Sequence, residues 1–104
     1  MAQFDVYRNP VDDLRDEQPY VMQIQSSFIN SPESRICIPI SRIKAGAQPM
    51  SRLNPEMEVQ GELLVLESLF MTSFDPSYLR RPVANLRSDA DAIWSALDYA
   101  LHGY

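Results

Sequence analysis

Ser95, Asp98 and His102 lie on one line of a C-terminal segment, at spacings that stack side chains along one face of a helix. A hydroxyl, a carboxylate and an imidazole are the residue types of a nucleophile, an orienting acid and a general base. The spacing nevertheless argues against that chemistry. A triad needs fixed geometry and an oxyanion hole, and one exposed helix face supplies neither. The spacing instead predicts an i, i+4 ion pair between Asp98 and His102, with protonated His102 also offsetting the dipole of the helix end. Asp91 lies one turn before Ser95, so a polar stripe of Asp91, Ser95, Asp98 and His102 leads to the tail Gly103-Tyr104.

The rest of the chemical inventory is thin. There is one histidine and one cysteine, and no cluster has metal-ligand spacing. The three glycines, Gly46, Gly61 and Gly103, are too scattered for a phosphate loop. The expectation is a protein with no catalytic residue, no metal and no cofactor. Cys37, between Ile36 and Ile38, reads as a buried thiol, and a lone cysteine fits a cytoplasmic protein. Met1 to Asp5 has neither the basic nor the apolar region of a signal peptide, and no apolar run approaches the roughly 20 residues that span a bilayer.

A formal charge of −5 argues against a generic nucleic-acid binder, which needs a basic face. Arg80, Arg81 and Arg87 fall close together, as do Arg42, Lys44 and Arg52; such short runs read as solvated surface charge. No direct nucleic-acid binding and no membrane association are expected. A protein partner is.

The elements that must position these residues are short strands and one helix. At 104 residues the chain is one domain, 1–104, with a single core. Phe4 and Val6 alternate with Gln3, Asp5 and Tyr7, predicting a half-buried strand. The acidic stretch from Asn9 to Pro19 reads as an exposed loop. Tyr20 to Gln25 predicts a second strand, with Tyr20, Met22 and Ile24 on one face. Ser26 to Pro32 is a turn that carries two large apolar side chains, Phe28 and Ile29, which either cap the core or form an exposed apolar spot.

Arg35 to Ile40 predicts a third strand, closed by Pro39. Ser41 to Pro55, with Gly46, Pro49 and Pro55, reads as connections with room for one short edge strand. Met57 to Leu63 is a hairpin turning at Gln60-Gly61, and Leu63 to Leu66 a strand buried on both faces. Leu69 to Phe74 fits a helical turn or a strand equally well. The final helix starts near Ser88, with Ser88 and Asp91 approximating a capping box, and runs to Leu101. Its apolar arc, Ala90, Ile93, Trp94, Leu97, Ala100 and Leu101, is expected to pack on the sheet. The fold class is α+β, mostly β: an SH3-like barrel with a C-terminal α-helix.

Several segments, in order along nearly the whole chain, resemble the CcdB family of type II toxin–antitoxin toxins. Gln3-Phe4-Asp5-Val6-Tyr7 is similar to the family's first strand. Ile24-Gln25-Ser26 followed by Phe28-Ile29-Asn30 is similar to its second strand and turn. Arg35-Ile36-Cys37-Ile38-Pro39-Ile40 resembles the family's Arg-x-x-Ile-Pro-Leu segment. The helix and the near-terminal Gly103 complete the likeness.

The resemblance implies a CcdB/MazF-type barrel in a cytoplasmic homodimer that is not an enzyme. It implies a poison that binds the A subunit of DNA gyrase and traps the gyrase–DNA cleavage complex. It also implies neutralisation by a CcdA-like antitoxin, with which such toxins autoregulate transcription. The gyrase-binding residues implied are Asp91, Ser95, Asp98, Leu101, His102, Gly103 and Tyr104, with Phe28 and Ile29 from the turn. The chain has His102-Gly103-Tyr104 where the family's best-known ending is Trp-Gly-Ile, and Asp98 where an uncharged amide is familiar. Two alternatives follow from the fold and these departures. One is a MazF/Kid-like endoribonuclease recruiting Arg8, Arg35, Arg80 or Arg81; the other is a decoy that binds antitoxin without poisoning.

Overall fold

Short runs of β-branched and aromatic residues build the sheet, and tight turns set its register. The computed structural model describes residues 2–43 and 52–104. Within them β1 (Asp5–Arg8), β2 (Tyr20–Gln23), β3 (Arg35–Arg42), β4 (Glu56–Val59), β5 (Glu62–Leu66), β6 (Thr72–Phe74) and β7 (Ala84–Asn85) precede a helix, α1 (Ala90–His102). All pairings are antiparallel, in the order β4-β5-β3-β2-β1-β7, with β6 also on β3. The edge strands β4 and β7 approach each other, and Gln60 Nε2 donates to the Val83 carbonyl across the gap at 3.3 Å. The result is a nearly closed antiparallel SH3-like barrel with one C-terminal helix.

Register follows from local chemistry. Gln60 and Gly61 both have positive φ, 50° and 82°, so β4 and β5 are joined by the two-residue turn that matches strand twist. The expected hairpin is therefore in place. The interior is filled by Val6, Met22, Ile38, Ile40, Met57, Val59, Leu64 and Leu66, which meet Ile93 and Leu97 from α1. Tyr20, Met22 and Ile24 share the inner face, as their alternation predicts, although β2 ends at Gln23.

Several expectations need correcting. Tyr7 is on the face opposite Val6, but that face is also covered. Tyr7 packs with Val21, Cys37 and Leu79 in a second cluster, closed by Phe74. The segment after β5 folds back over the outside of the sheet, so alternation in β1 separates two buried faces rather than a buried one from a wet one. Burial pushes the Cys37 thiol up to about 12, and pushes the Tyr7 phenol up to about 12 with help from Asp5.

Pro39 does not close β3, which continues to Arg42. β3 pairs β6 at Arg35–Cys37 and β5 at Ile40–Arg42. Pro39 sits where one neighbour gives way to the other, so no ladder bond is lost there. Its carbonyl accepts from the Glu67 N–H at 2.9 Å. In β5, Leu64, Val65 and Leu66 are buried but Leu63 is exposed. Leu69 to Phe74 is both things the sequence allowed: a 3-10 turn at Ser68–Phe70, then β6. The connections read over Ser41 to Pro55 fall mostly outside the described residues, at 44–51.

The helix starts later than expected. Ser88 lies inside a 3-10 turn, Arg87–Asp89, and no side chain caps α1, so the capping box is not formed. Asn85 Oδ1 instead accepts the Arg87 N–H at 2.9 Å. Asp91 remains in the first turn of α1, where the dipole favours it. The packed face consists of Ile93, Ala96 and Leu97; Trp94 and Leu101, expected on the buried arc, are exposed.

Candidate partner-binding surface

Two elements present side chains that the barrel does not use. The first is the distal half of α1. Asp91, Asp98 and His102 are exposed and Ser95 is half-buried, so the predicted polar stripe exists as a continuous line. Leu101 beside it is 69% exposed and Tyr104 is 79% exposed. Gly103 has φ 82° and donates its N–H to the Tyr99 carbonyl at 2.9 Å, which ends the helix in the left-handed conformation that glycine adopts without strain. That turn brings the Tyr104 ring to 6.0 Å from the His102 ring. The expected Asp98–His102 ion pair is not formed: among the described residues, ion pairs join Arg15 to Asp12 and Arg42 to Glu62.

Ser95 is not a free hydroxyl. It accepts from Arg52 Nε at 2.8 Å, and the same guanidinium stacks 5.2 Å above the centre of the Tyr99 ring. The sequence put Arg52 in a basic run, with no hint that it crosses the stripe. Leu69 and Phe70 were also missed; both are exposed, in the 3-10 turn that packs against α1. Their signal was present as two bulky apolar residues in a segment with no clear periodicity.

The second element is the turn between β2 and β3. Phe28 is 98% exposed and Ile29 62%, which resolves the choice between cap and exposed spot. The turn is held from beneath. Ile29 N–H donates to the Ser26 carbonyl at 3.1 Å, and Gln25 Nε2 donates to the Ile29 carbonyl at 2.7 Å. Arg35, buried at the start of β3, donates to the Ser31 and Ser34 carbonyls and to Asn30 Oδ1. Its five donors suit this role, which neutral residues of that size cannot fill. Arg35, weighed as a ribonuclease residue, is spent on this loop.

A short path links the two elements. Gln3 N–H donates to Ser27 Oγ at 2.9 Å, and the next residue, Phe4, is buried edge-on against Trp94 at 5.8 Å. Phe4 takes a left-handed φ of 72° to reach that position, with the Arg87 guanidinium 5.8 Å from its ring. Trp94 is therefore anchored yet 42% exposed, one ring between the turn and the stripe. Among the described residues, no hydrogen bond or ring contact joins Phe28 or Ile29 directly to the helix tail. The arrangement offers apolar and aromatic contacts around a few polar groups, which is the make-up of a protein interface.

No helix among the described residues is long and apolar enough to cross a membrane. No curated protein matches the chain. The family model described as CcdB protein matches residues 3–103, nearly the whole chain, and spans both the turn and the helix tail. The barrel, its C-terminal helix and that match agree, and this chain belongs to the CcdB family of toxin–antitoxin toxins.

Proposed function

We propose that this chain binds the A subunit of DNA gyrase and traps the enzyme on cleaved DNA, and that a CcdA-like antitoxin releases it. The contact surface is Asp91, Ser95, Asp98, Leu101, His102, Gly103 and Tyr104, with Phe28 and Ile29 in support. Family membership supports this choice of target. The single observation that carries the reading is the exposure of large apolar side chains on anchored elements, Leu101 and Tyr104 beyond a capped helix and Phe28 on a braced turn. Large apolar groups gathered on an exposed surface mark sites where a partner binds.

The mode of action is binding rather than catalysis. A homodimer presents two tails related by a two-fold axis, and a two-fold target accepts both at once. Leu69 and Phe70, exposed beside α1, are apolar surface for the second copy. The antitoxin then competes for surface that gyrase also needs.

The test incubates purified protein with gyrase A and B subunits, supercoiled DNA and ATP, and measures linear DNA after detergent and protease. Wild type is expected to trap linear DNA, and Gly103→Glu and Leu101→Ser to trap little while remaining folded dimers by gel filtration and circular dichroism. A folded wild-type dimer that traps no DNA overturns the proposal; if it cleaves RNA without gyrase, the endoribonuclease reading replaces it.

A further inference from the structure

The two edges that leave the barrel unclosed stand on either side of a groove. Its volume is about 550 Å³, and its lining includes Glu56 and Glu58 of β4, Leu63 of β5, Asn85 of β7 and Asp89. Gln60 bridges the gap through its bond to the Val83 carbonyl, but among the described residues no ladder joins β4 to β7. Nothing in the sequence singles out Glu56 and Glu58, because exposed glutamates are ordinary surface.

The β4 edge is open in a regular way. β4 pairs β5 from Glu56 to Val59, and the Leu66 N–H donates to the Pro55 carbonyl at 2.9 Å. Peptide groups alternate along a strand, so Met57 and Val59 follow Pro55 in facing β5. Glu56 and Glu58 aim their N–H and C=O groups the other way, where β4 has no neighbouring strand. The opposite wall repeats the pattern. The Leu86 N–H donates to the Phe4 carbonyl at 3.0 Å, so Asn85 turns its own peptide groups away from β1.

Side chains decide which strand fits. Glu56 and Glu58 are exposed and, two residues apart, share one face; Asp89 is half-buried. No cation lines the groove, and among the described residues none of the three carboxylates forms an ion pair. Like charges directly opposite each other destabilise a pair of strands, so a second copy of this edge is repelled. A strand with cations at alternate positions is attracted instead, since each cation meets a glutamate across the ladder. Leu63 lies opposite Glu58 in the β4–β5 register and is 53% exposed, which gives the stems of long cationic side chains an apolar surface.

The geometry points to a docking site for an extended basic segment of a partner protein. The segment adds as a strand to the β4 edge, with alternate lysines or arginines on Glu56 and Glu58. Its main chain takes up the donors and acceptors that β4 leaves open, and the net charge of −5 speeds its approach. This site uses no residue of the proposed gyrase surface, so it stands or falls independently of that reading.

The test is fluorescence anisotropy on the intact protein at physiological ionic strength, with a labelled peptide of alternating lysine and valine. Wild type is expected to bind this peptide and not the glutamate-for-lysine version. Methylating alternate backbone nitrogens of the peptide keeps its charge but removes strand pairing, and is expected to weaken binding about tenfold or more. Glu56→Gln together with Glu58→Gln is expected to give a similar loss, with the melting temperature unchanged. Asp13→Asn together with Glu33→Gln removes the same charge from exposed positions off the groove, and binding is expected to stay within about twofold. Three results overturn the proposal. The first is no binding by wild type, which leaves the glutamates as a guard against edge pairing. The others are equal binding of the methylated peptide and equal losses in the two double variants.

Discussion

The two halves of α1 carry similar residues to opposite ends. Ile93, Ala96 and Leu97 are buried against the barrel, whereas Leu101, His102 and Tyr104, one to two turns later, are exposed. Helical periodicity treats Leu97 and Leu101 alike, since four residues bring a side chain back to nearly the same face. What differs is the length of sheet beneath. Among the described residues the barrel gives the distal apolar residues little to pack against, and Leu101 is left 69% exposed. An amphipathic arc thus states which face is sticky, and the partner layer decides how much of it is core.

The contrast breaks most sharply by truncation. Ile93→Ala leaves a hole among Phe4, Val6 and the inner-face residues and is expected to cost about 2–5 kcal/mol; Leu101→Ala is expected to stay within about 0.5 kcal/mol. Urea midpoints check both, and equal losses would mean that the tail packs on its own barrel. The next largest effect comes from pH and acts only on the barrel side. Cys37 and Tyr7 titrate near 12 when folded, against ordinary values of 9.0 and 10.0. Above about pH 9 the unfolded chain therefore holds fewer protons than the native one. Stability is full below that pH and falls as pH rises towards 12, by up to about 1.4 kcal/mol per pH unit for each group. Cys37→Ala is expected to flatten that alkaline slope; an unchanged slope would show that the thiol is not the group responsible.

A smaller loss than that of Ile93→Ala is expected at the junction with the tail. Gly103 is left-handed, and an added β-carbon would have nothing within 4 Å among the described residues, so crowding by them plays no part. Gly103→Ala is expected to cost about 1 kcal/mol through backbone strain alone, and Gly103→Asn less. Thermal melts of the two variants sharpen the comparison: a cost well above that would mean the tail has contacts that the helix end does not reveal.

Much of the fold was legible because it rests on local signals. Gln60-Gly61 demanded the turn it makes, the alternation of Tyr20, Met22 and Ile24 found its face, and Ile36 to Ile38 correctly implied a buried thiol at Cys37. Tyr7 and Pro39 were misjudged because each depends on a distant segment: Tyr7 on the cover that folds over the outer face, Pro39 on the change of neighbour from β6 to β5. The candidate surface was legible for its stripe and turn, where exposure follows from polar spacing and turn chemistry. Arg52 on Ser95 and Arg35 beneath the turn were not legible, since a long cation can reach in many directions.

The sequence by itself determined that short strands and one terminal helix form, that the helix ends at a glycine, and that an apolar pair rides on a polar turn. Periodicity, turn residues and φ preference are properties of neighbouring residues, and neighbours are all a sequence displays. Tertiary structure alone decided that both faces of β1 are covered, that Phe28 is in water, and that Arg8 stands beside Arg81. Those outcomes depend on which distant segments share a space, and that is settled only when the sheet closes.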